Sequence, residues 1–402
     1  MRWLVLLFII PFALAVSIGD ESVRGEHPSM YGDSVAFEDG GRVKVFDFTH
    51  DGEFDVGSGS NPSLFGFGLV YGDAGLIKYV NVRDQNVITV GQGVFPSIYA
   101  DEVVFSARES QLGDDFSNDS DRNDDIIQEY DVRSSELKNL KVVGKFPVSN
   151  QRYIVFVTEE SQVNLDLNSD GDKNDGVIRI FDRESRGVSN GKVEGRDLAI
   201  SREGTIAFVS QGKLAFMDAR TQKSTVTELK GEHPSIHGDI ILFSKDNNIF
   251  GYSITSGELA RVGKGESPSL FGETAAIVVT DNRGKIIRII TDEDGDNDDV
   301  SDFVDNCPET SGTGSDADKD GVGDSCGKKA DAPRPQEKPA VQAATVNKSA
   351  EPQSTNEESQ TTNEELEWYW YVLIIAGVVI IGPYAWKLAI HYYKKRKKSF
   401  GF

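Results

Sequence analysis

The chain predicts an all-β fold: a seven-bladed β-propeller closed by its N-terminal strand, then a small irregular acidic segment and one C-terminal membrane helix. Three observations predict it. A short phrase built on Pro-Ser and a Gly-Asp turn recurs along residues 25–290. Each copy carries four short stretches with the period-two alternation of strands, separated by Gly, Asp and Asn turns. Outside residues 368–386 no long stretch has helical periodicity, and radial repetition of four-stranded units is the propeller plan.

At the N-terminus, Met1-Arg2-Trp3 precedes an apolar run from Leu4 to Ala15, broken only by Pro11 and ending Ala13-Leu14-Ala15. This reads as a secretory signal peptide over residues 1–15, with a retained anchor as the alternative for a run so short. The clearest repeat phrases are Gly25-Glu26-His27-Pro28-Ser29-Met30-Tyr31-Gly32-Asp33 and Gly231-Glu232-His233-Pro234-Ser235-Ile236-His237-Gly238-Asp239. The register falls at Pro28, Pro62, Pro96, Pro147, Leu198, Pro234 and Pro268, with spacings of 34, 34, 51, 51, 36 and 34 residues. Two copies therefore carry insertions. After the proline strand come a Gly-Asp turn, an apolar strand such as Ile240-Ile241-Leu242-Phe243, an alternating strand such as Val43-Lys44-Val45-Phe46-Asp47, and a weaker fourth. The seventh copy dissolves into acidic residues after Ile290 and lacks its fourth strand. Residues 16–24 stand where fourth strands stand elsewhere, so they are expected to dock on the last blade and close the ring. The phrase resembles TolB-like propellers, common on archaeal surface proteins. That resemblance covers roughly residues 25–290 and implies architecture, not activity.

The two insertions align with each other. Asp166-x-Asn168-x-Asp170-x-Asp172, followed by Asp175, stands over Asp115, Ser117, Asp119, Asp121 and Asp124. Oxygen side chains at alternate positions suit a hard cation such as Ca²⁺, which takes about six to eight oxygens. The run resembles the first half of an EF-hand loop, but Val177 occupies the place of its closing glutamate. Asp175 or Asp182 would have to finish the shell; an acidic loop with no ion is the alternative. Asn118-Asp119-Ser120 and Asn347-Lys348-Ser349 are acceptor sequons for glycosylation at Asn118 and Asn347.

Residues 292–326 hold thirteen acidic side chains, one lysine and the only two cysteines of the chain. Carboxylates this dense repel one another unless cations neutralise them. Asp292, Asp294, Gly295, Asp296, Asp302, Asp305, Asn306, Cys307 and Pro308, then Asp316, Asp318, Asp320, Gly321, Gly323, Asp324 and Cys326, resemble the thrombospondin type-3 repeat over residues 291–326. The resemblance implies a segment with almost no apolar core, folded around Ca²⁺ and fastened by a Cys307–Cys326 disulfide. In the chain-entropy model such a loop contributes about 3 kcal/mol. This chain departs from the pattern where Asn297-Asp298-Asp299 lengthens the first acidic run and Lys319 replaces a usual glycine. A disordered acidic linker is the alternative.

Residues 327–367 are rich in Pro, Ala, Gln, Thr, Asn, Ser and Glu and read as a disordered stalk. Residues 368–390 read as a membrane helix; its uncharged core, Trp368 to Trp386, spans roughly 28 Å. The aromatic run at its start and the basic residues within 391–402 place the tail in the cytoplasm and the main chain outside the cell. A net charge of −23 argues against nucleic acid as a partner. Histidines are few, and His27 and His233 share one repeat position, which reads as a turn residue rather than a ligand. No HExxH, nucleophile elbow, phosphate loop or dinucleotide fingerprint occurs, so no catalytic residue is assigned and an enzyme is not expected.

The sequence therefore predicts a single-pass cell-surface protein that binds calcium and presents a propeller head to an extracellular protein or glycan. Its rivals are an anchored hydrolase or lyase with its site in the propeller channel, and a structural envelope component. Clustered acids with a histidine or arginine in the channel would favour the enzyme. An apolar or merely polar channel would favour binding.

Overall fold

The computed structural model describes residues 18–49, 52–116, 120–282, 284–311, 314–324 and 326. The expected signal peptide, Ser117, Asn118, Asp119, Asn347, the stalk, the membrane helix and the tail lie outside them. No helix among the described residues is long and apolar enough to cross a membrane.

Seven four-stranded antiparallel sheets make up the chain up to residue 291. Six are built consecutively, from residues 26–58, 60–92, 94–143, 145–194, 196–230 and 232–264. These are blades 1 to 6. Blade 7 takes its inner three strands from residues 266–291 and its outermost from Ile18–Arg24, which pairs with Gly284–Thr291 through Ser22↔Arg288 and Val23↔Ile287. The expected closure by the N-terminal strand is present.

The repeat phrase has a local cause in every blade. The residue before the register position, proline in six copies and Leu198 in the fifth, has a positive φ in all seven: His27, Asn61, Phe95, Phe146, Asp197, His233 and Ser267, between 49° and 54°. One extra residue sits there, as in blade 1, where pairing shifts from Glu26↔Glu38 to Ser29↔Ala36. This is a β-bulge, and histidine, asparagine and aspartate tolerate its left-handed backbone better than most residues. The bulge explains why His27 and His233 share a place. The glycine opening the phrase lets the next strand's ring lie flat beneath it: a Cβ on Gly25 or Gly231 would come within 2.4 Å of Phe37 or Phe243.

The core is a cycle of interfaces rather than one centre. Each pair of neighbouring blades shares one apolar cluster. Each second strand is apolar on both faces because it serves two interfaces: Val35 and Phe37 face blade 7, while Ala36 faces blade 2. The wall of the channel is sewn by serines. The backbone N–H groups of Leu64, Ile98, Leu270 and Met30 donate to the hydroxyls of Ser29, Ser63, Ser235 and Ser269 in the preceding blade, at 2.9–3.2 Å. Val148 and Ala199 replace that serine in blades 4 and 5.

The acidic segment after Thr291 packs against the propeller as a collar. Phe303 is fully buried in the cluster between blades 6 and 7, beside Leu242, Leu270 and Ala275. Two glycines permit the approach. A Cβ on Gly251 would lie 1.7 Å from the Phe303 carbonyl, and Gly321, at φ +79°, accepts the Arg261 N–H at 2.8 Å. An apolar anchor was not expected of this segment. It docks on blades 6 and 7, fastened by the Cys307–Cys326 disulfide.

Candidate metal centres and the channel mouth

Four acidic loops share one construction, in which an aspartate near the start folds back onto the backbone of its own loop. Asp294 accepts the N–H groups of Asp298 and Asp299, both at 3.0 Å. Asp316 accepts those of Asp320 and Gly321 at 3.2 and 2.9 Å. Asp166 accepts those of Ser169 and Gly171 at 2.6 and 3.1 Å, and Asp115 accepts that of Ser120 at 3.0 Å. The curl gathers the carboxylates that follow. Asp294, Asp296 and Asp298 bring one oxygen each within 4.8 Å of one another, as do Asp316, Asp318 and Asp320.

The first collar loop holds the strongest sign of an ion. Both carboxylate oxygens of Asp296 and Oδ2 of Asp305 are buried and have no hydrogen-bond partner among the described residues. Asp305 keeps only 2 % of its surface, and its other oxygen takes the Cys307 N–H at 2.7 Å. Burial, then the charges of Asp298, Asp296 and Asp302, push the Asp305 carboxyl above the ordinary range. Burial likewise raises Asp302, as do Asp292, Glu293 and Asp294, and Asp296 is raised by desolvation and its two flanking aspartates. A cation among these oxygens would remove both the repulsion and the desolvation cost. An all-oxygen donor set suits a hard ion, so these clusters can hold a metal.

Other expected ligands have backbone duties. Asp292 takes the Ser301 hydroxyl at 2.6 Å and the Phe303 N–H at 3.0 Å, which aims the anchor. Asp302 takes the Gly295 N–H at 3.2 Å, and Asp324 that of Ala317 at 3.2 Å. Asn306 bonds both the N–H and the C=O of Gly314 through its side chain, joining the two halves of the collar.

In blade 4 the structure adds a candidate ligand that the sequence did not suggest. Glu160, on a helical turn over Glu160–Val163, is fully buried and groups with Asp172 and Asp175 within 4.8 Å. Its oxygens take the N–H groups of Leu167, Asn168 and Asp175 at 2.5, 3.2 and 3.3 Å. Asn168 donates to Asp170 and Asp175 at 3.1 and 2.7 Å. Asp182 is not part of this loop. It lies at the far end of its strand, paired with Arg152 at 2.8 Å, because the strand Gly176–Asp182 runs the full height of the blade. In blade 3, Glu109 repeats the position of Glu160 and takes the Phe116 N–H at 2.6 Å; Asp124 there is buried and Asp121 takes the Asn123 N–H at 2.7 Å. The recurrence of Glu-Ser-Gln before a branched residue at 109–112 and 160–163 was the available signal.

The two insertions leave the blades on one face, and the turn after each innermost strand opens on the other. There the last residues of five innermost strands form an arc of rings around a channel cavity of about 930 Å³. The order is Tyr99, Phe65, Tyr31, Phe271 and His237, with neighbouring centroids 4.5, 4.4, 4.3 and 5.3 Å apart. Blades 4 and 5 place Asn150 and Ser201 instead, and the Asn150 amide donates to the Ser201 carbonyl at 3.0 Å. Charged groups line the wall beside them. Arg133 pairs with Asp101, and Arg183 with Glu129 at 2.7 Å. Burial, then the Glu129 charge, raises the Glu102 carboxyl, with Asp131 adding and Arg183 opposing. Burial and the neighbouring Tyr99 raise the Tyr31 phenol, against the Arg202 charge. The mouth thus combines an apolar concave wall with acids, arginines and a histidine.

No family model matches the sequence, and no curated protein matches it. Solved structures do resemble the fold. An oligogalacturonate lyase in complex with manganese has 10% identity and a TM-score of 0.49, over 67% of this chain and 90% of that one. The oligogalacturonate lyase of Vibrio parahaemolyticus has 9% identity and a TM-score of 0.48, over 67% and 89%. TolB from Acinetobacter baumannii has 13% identity and a TM-score of 0.37, over 62% and 59%. Likeness at this level concerns propeller geometry and brings no activity with it.

Proposed function

We propose that this chain is a single-pass surface protein whose extracellular propeller head binds a ligand, with calcium bracing the head and its collar. Export and anchoring rest on the leader-like residues 1–15, the membrane-helix pattern of residues 368–390 with its uncharged core 368–386, and the basic tail. The collar's likeness to the thrombospondin type-3 repeat and its all-oxygen ligands favour calcium. One observation carries the bracing role: Asp292, at the edge of the acidic cluster, positions Phe303, and Phe303 completes a blade interface. An ion there would tie the collar to the head. Protease added outside intact expressing cells tests the display. It should release a fragment containing residues 18–326, and the shaved cells should lose calcium-dependent binding to envelope preparations. A chain untouched by external protease contradicts the reading.

A second reading has its own observation. Acids, arginines and a histidine do occur together at the channel mouth, the condition set above for an anchored hydrolase or lyase. Glu102, raised in pKa and without an ion-pair partner among the described residues, is the group to test as an acid. Turnover of a surface polymer that Glu102→Gln abolishes while binding persists would establish it.

A further inference from the structure

We infer that the aromatic end of the channel is a binding site for the ring of a neutral saccharide. This deepens the binding reading above and rests on it.

Departures from the sevenfold repeat are concentrated here. Along the innermost strands, blades 1, 2, 3, 6 and 7 present serine, an apolar residue, a ring, and glycine or alanine in succession. Blades 4 and 5 present Val148-Ser149-Asn150-Gln151 and Ala199-Ile200-Ser201-Arg202. Where rings line five-sevenths of the mouth, these two blades place amide, hydroxyl and guanidinium groups, with Gln151 and Arg202 exposed. The Ser149 hydroxyl behind them is buried without a partner among the described residues. The mouth is therefore split into an apolar arc and a hydrogen-bonding arc that face each other across one cavity.

The geometry and the charge select the ligand. From Tyr99 to His237 successive rings are tilted by 48°, 46°, 41° and 63°, so they form a curved wall. A flat base lying parallel to one ring would meet its neighbours at 41° or more, and a proline-rich helix needs an open groove rather than a closed ring of blades. At the mouth Arg133 is paired with Asp101 and Arg183 with Glu129, so a phosphate or carboxylate ligand would meet Glu102, Asp131 and a chain charge of −23, with Arg202 as the one lining arginine without an ion pair among the described residues. A neutral saccharide has puckered C–H faces for the rings and a rim of hydroxyls. The carboxylates of Glu102 and Asp131 can accept from such hydroxyls, and Arg202 and Gln151 can donate to them. The cavity, about 930 Å³, lies within the usual range of small-ligand sites.

The test uses the full chain in nanodiscs, followed by calorimetry and saturation-transfer NMR. The probes are oligomers of neutral glucan, mannan and galactan, a polyuronate oligomer, a nucleoside monophosphate and a proline-rich peptide. One neutral series should bind. Tyr31→Ala and Arg202→Gln should each weaken it by about tenfold. Tyr31 also touches the blade core, so the exposed Arg202→Gln and Gln151→Ala variants, with unchanged melting, keep the test decisive. Binding of only the uronate, nucleotide or peptide overturns the inference, as does no binding of any probe. Neutral binding that ignores all three substitutions overturns it as well. If neutral probes fail while cells keep calcium-dependent binding to envelope proteins, this inference falls and the binding reading stands. Cleavage of a bound neutral probe supports the site and replaces binding by catalysis as the function.

Discussion

The hydroxyl of Ser269 accepts the backbone N–H of Met30 at 2.9 Å, which stitches the last blade of the ring to the first. The same bond joins Ser29 to Leu64, Ser63 to Ile98 and Ser235 to Leu270. The serine of the Pro-Ser repeat is thus a clasp between blades. Ser29→Ala leaves the Leu64 N–H facing the channel without its partner, a loss of about 1–2 kcal/mol. Thermal melting should show it with the strand signal unchanged. Ala199→Ser, which offers a clasp to blade 6, should not destabilise the protein. Equal melting of the wild type and Ser29→Ala removes the clasp from the account.

Deletion of residues 18–24 should abolish cooperative unfolding, because Gly284–Thr291 loses its outer partner and blade 7 is left with an open edge. A trimmed chain with wild-type melting would show that the ring does not depend on this strand.

Phe303→Ala should cost about 3–5 kcal/mol at the interface between blades 6 and 7. The collar should then become a protease target while the first five blades resist. Gly251→Ala should do the same, since its Cβ would collide with the Phe303 carbonyl at 1.7 Å. Collars that stay protected in both variants would mean that docking rests on the disulfide alone.

The collar should respond to pH in opposite ways with and without cation. Burial and like charge raise Asp292, Asp302 and Asp305, so the folded cation-free collar holds protons that the unfolded chain releases. The resulting penalty is absent below the ordinary value of 3.8, grows as pH rises through the raised values, and is complete above them. Cation-free collar should therefore resist protease better in mild acid than at neutral pH. With calcium the order should reverse, because protons compete for the same oxygens. Proteolysis of dialysed and calcium-loaded protein across that range checks the sign.

In blade 4, Glu160→Gln should weaken calcium binding by the insertion, and Asp182→Asn should leave it unchanged. Calorimetry on the two variants tells the assignments apart. An equal effect from both would return Asp182 to the candidate shell.

The propeller was legible because its determinants are local and repeated seven times. Pro28 and its counterparts mark a bulge, and strands such as Ile240–Lys245 are apolar on both faces because blades flank them on both sides. Blade closure was legible too, since a missing fourth strand at one end matched a spare one at the other. What escaped were relations between blades. The serine clasps join residues 35 positions apart from blade to blade, and 239 apart where the ring closes, and the arc from Tyr99 to His237 runs across the same blades, so no local window contains them. Glu160 precedes the first aspartate of its loop and was missed because an EF-hand comparison looks for the closing glutamate at the other end. Phe303 was hidden for a different reason: one aromatic residue among acids reads as an exception, whereas its partners Leu242 and Leu270 lie in two blades earlier in the chain.

Bracing of head and collar by calcium is tested most directly by differential melting and limited proteolysis of the full chain, with calcium and after chelation. The wild type and the Asp296→Asn/Asp298→Asn variant are compared. Chelation should lower the melting temperature of the wild type and open residues 293–324 to cleavage, and the variant should show both effects even in calcium. Identical melting and cleavage of the wild type with and without chelator would contradict the account.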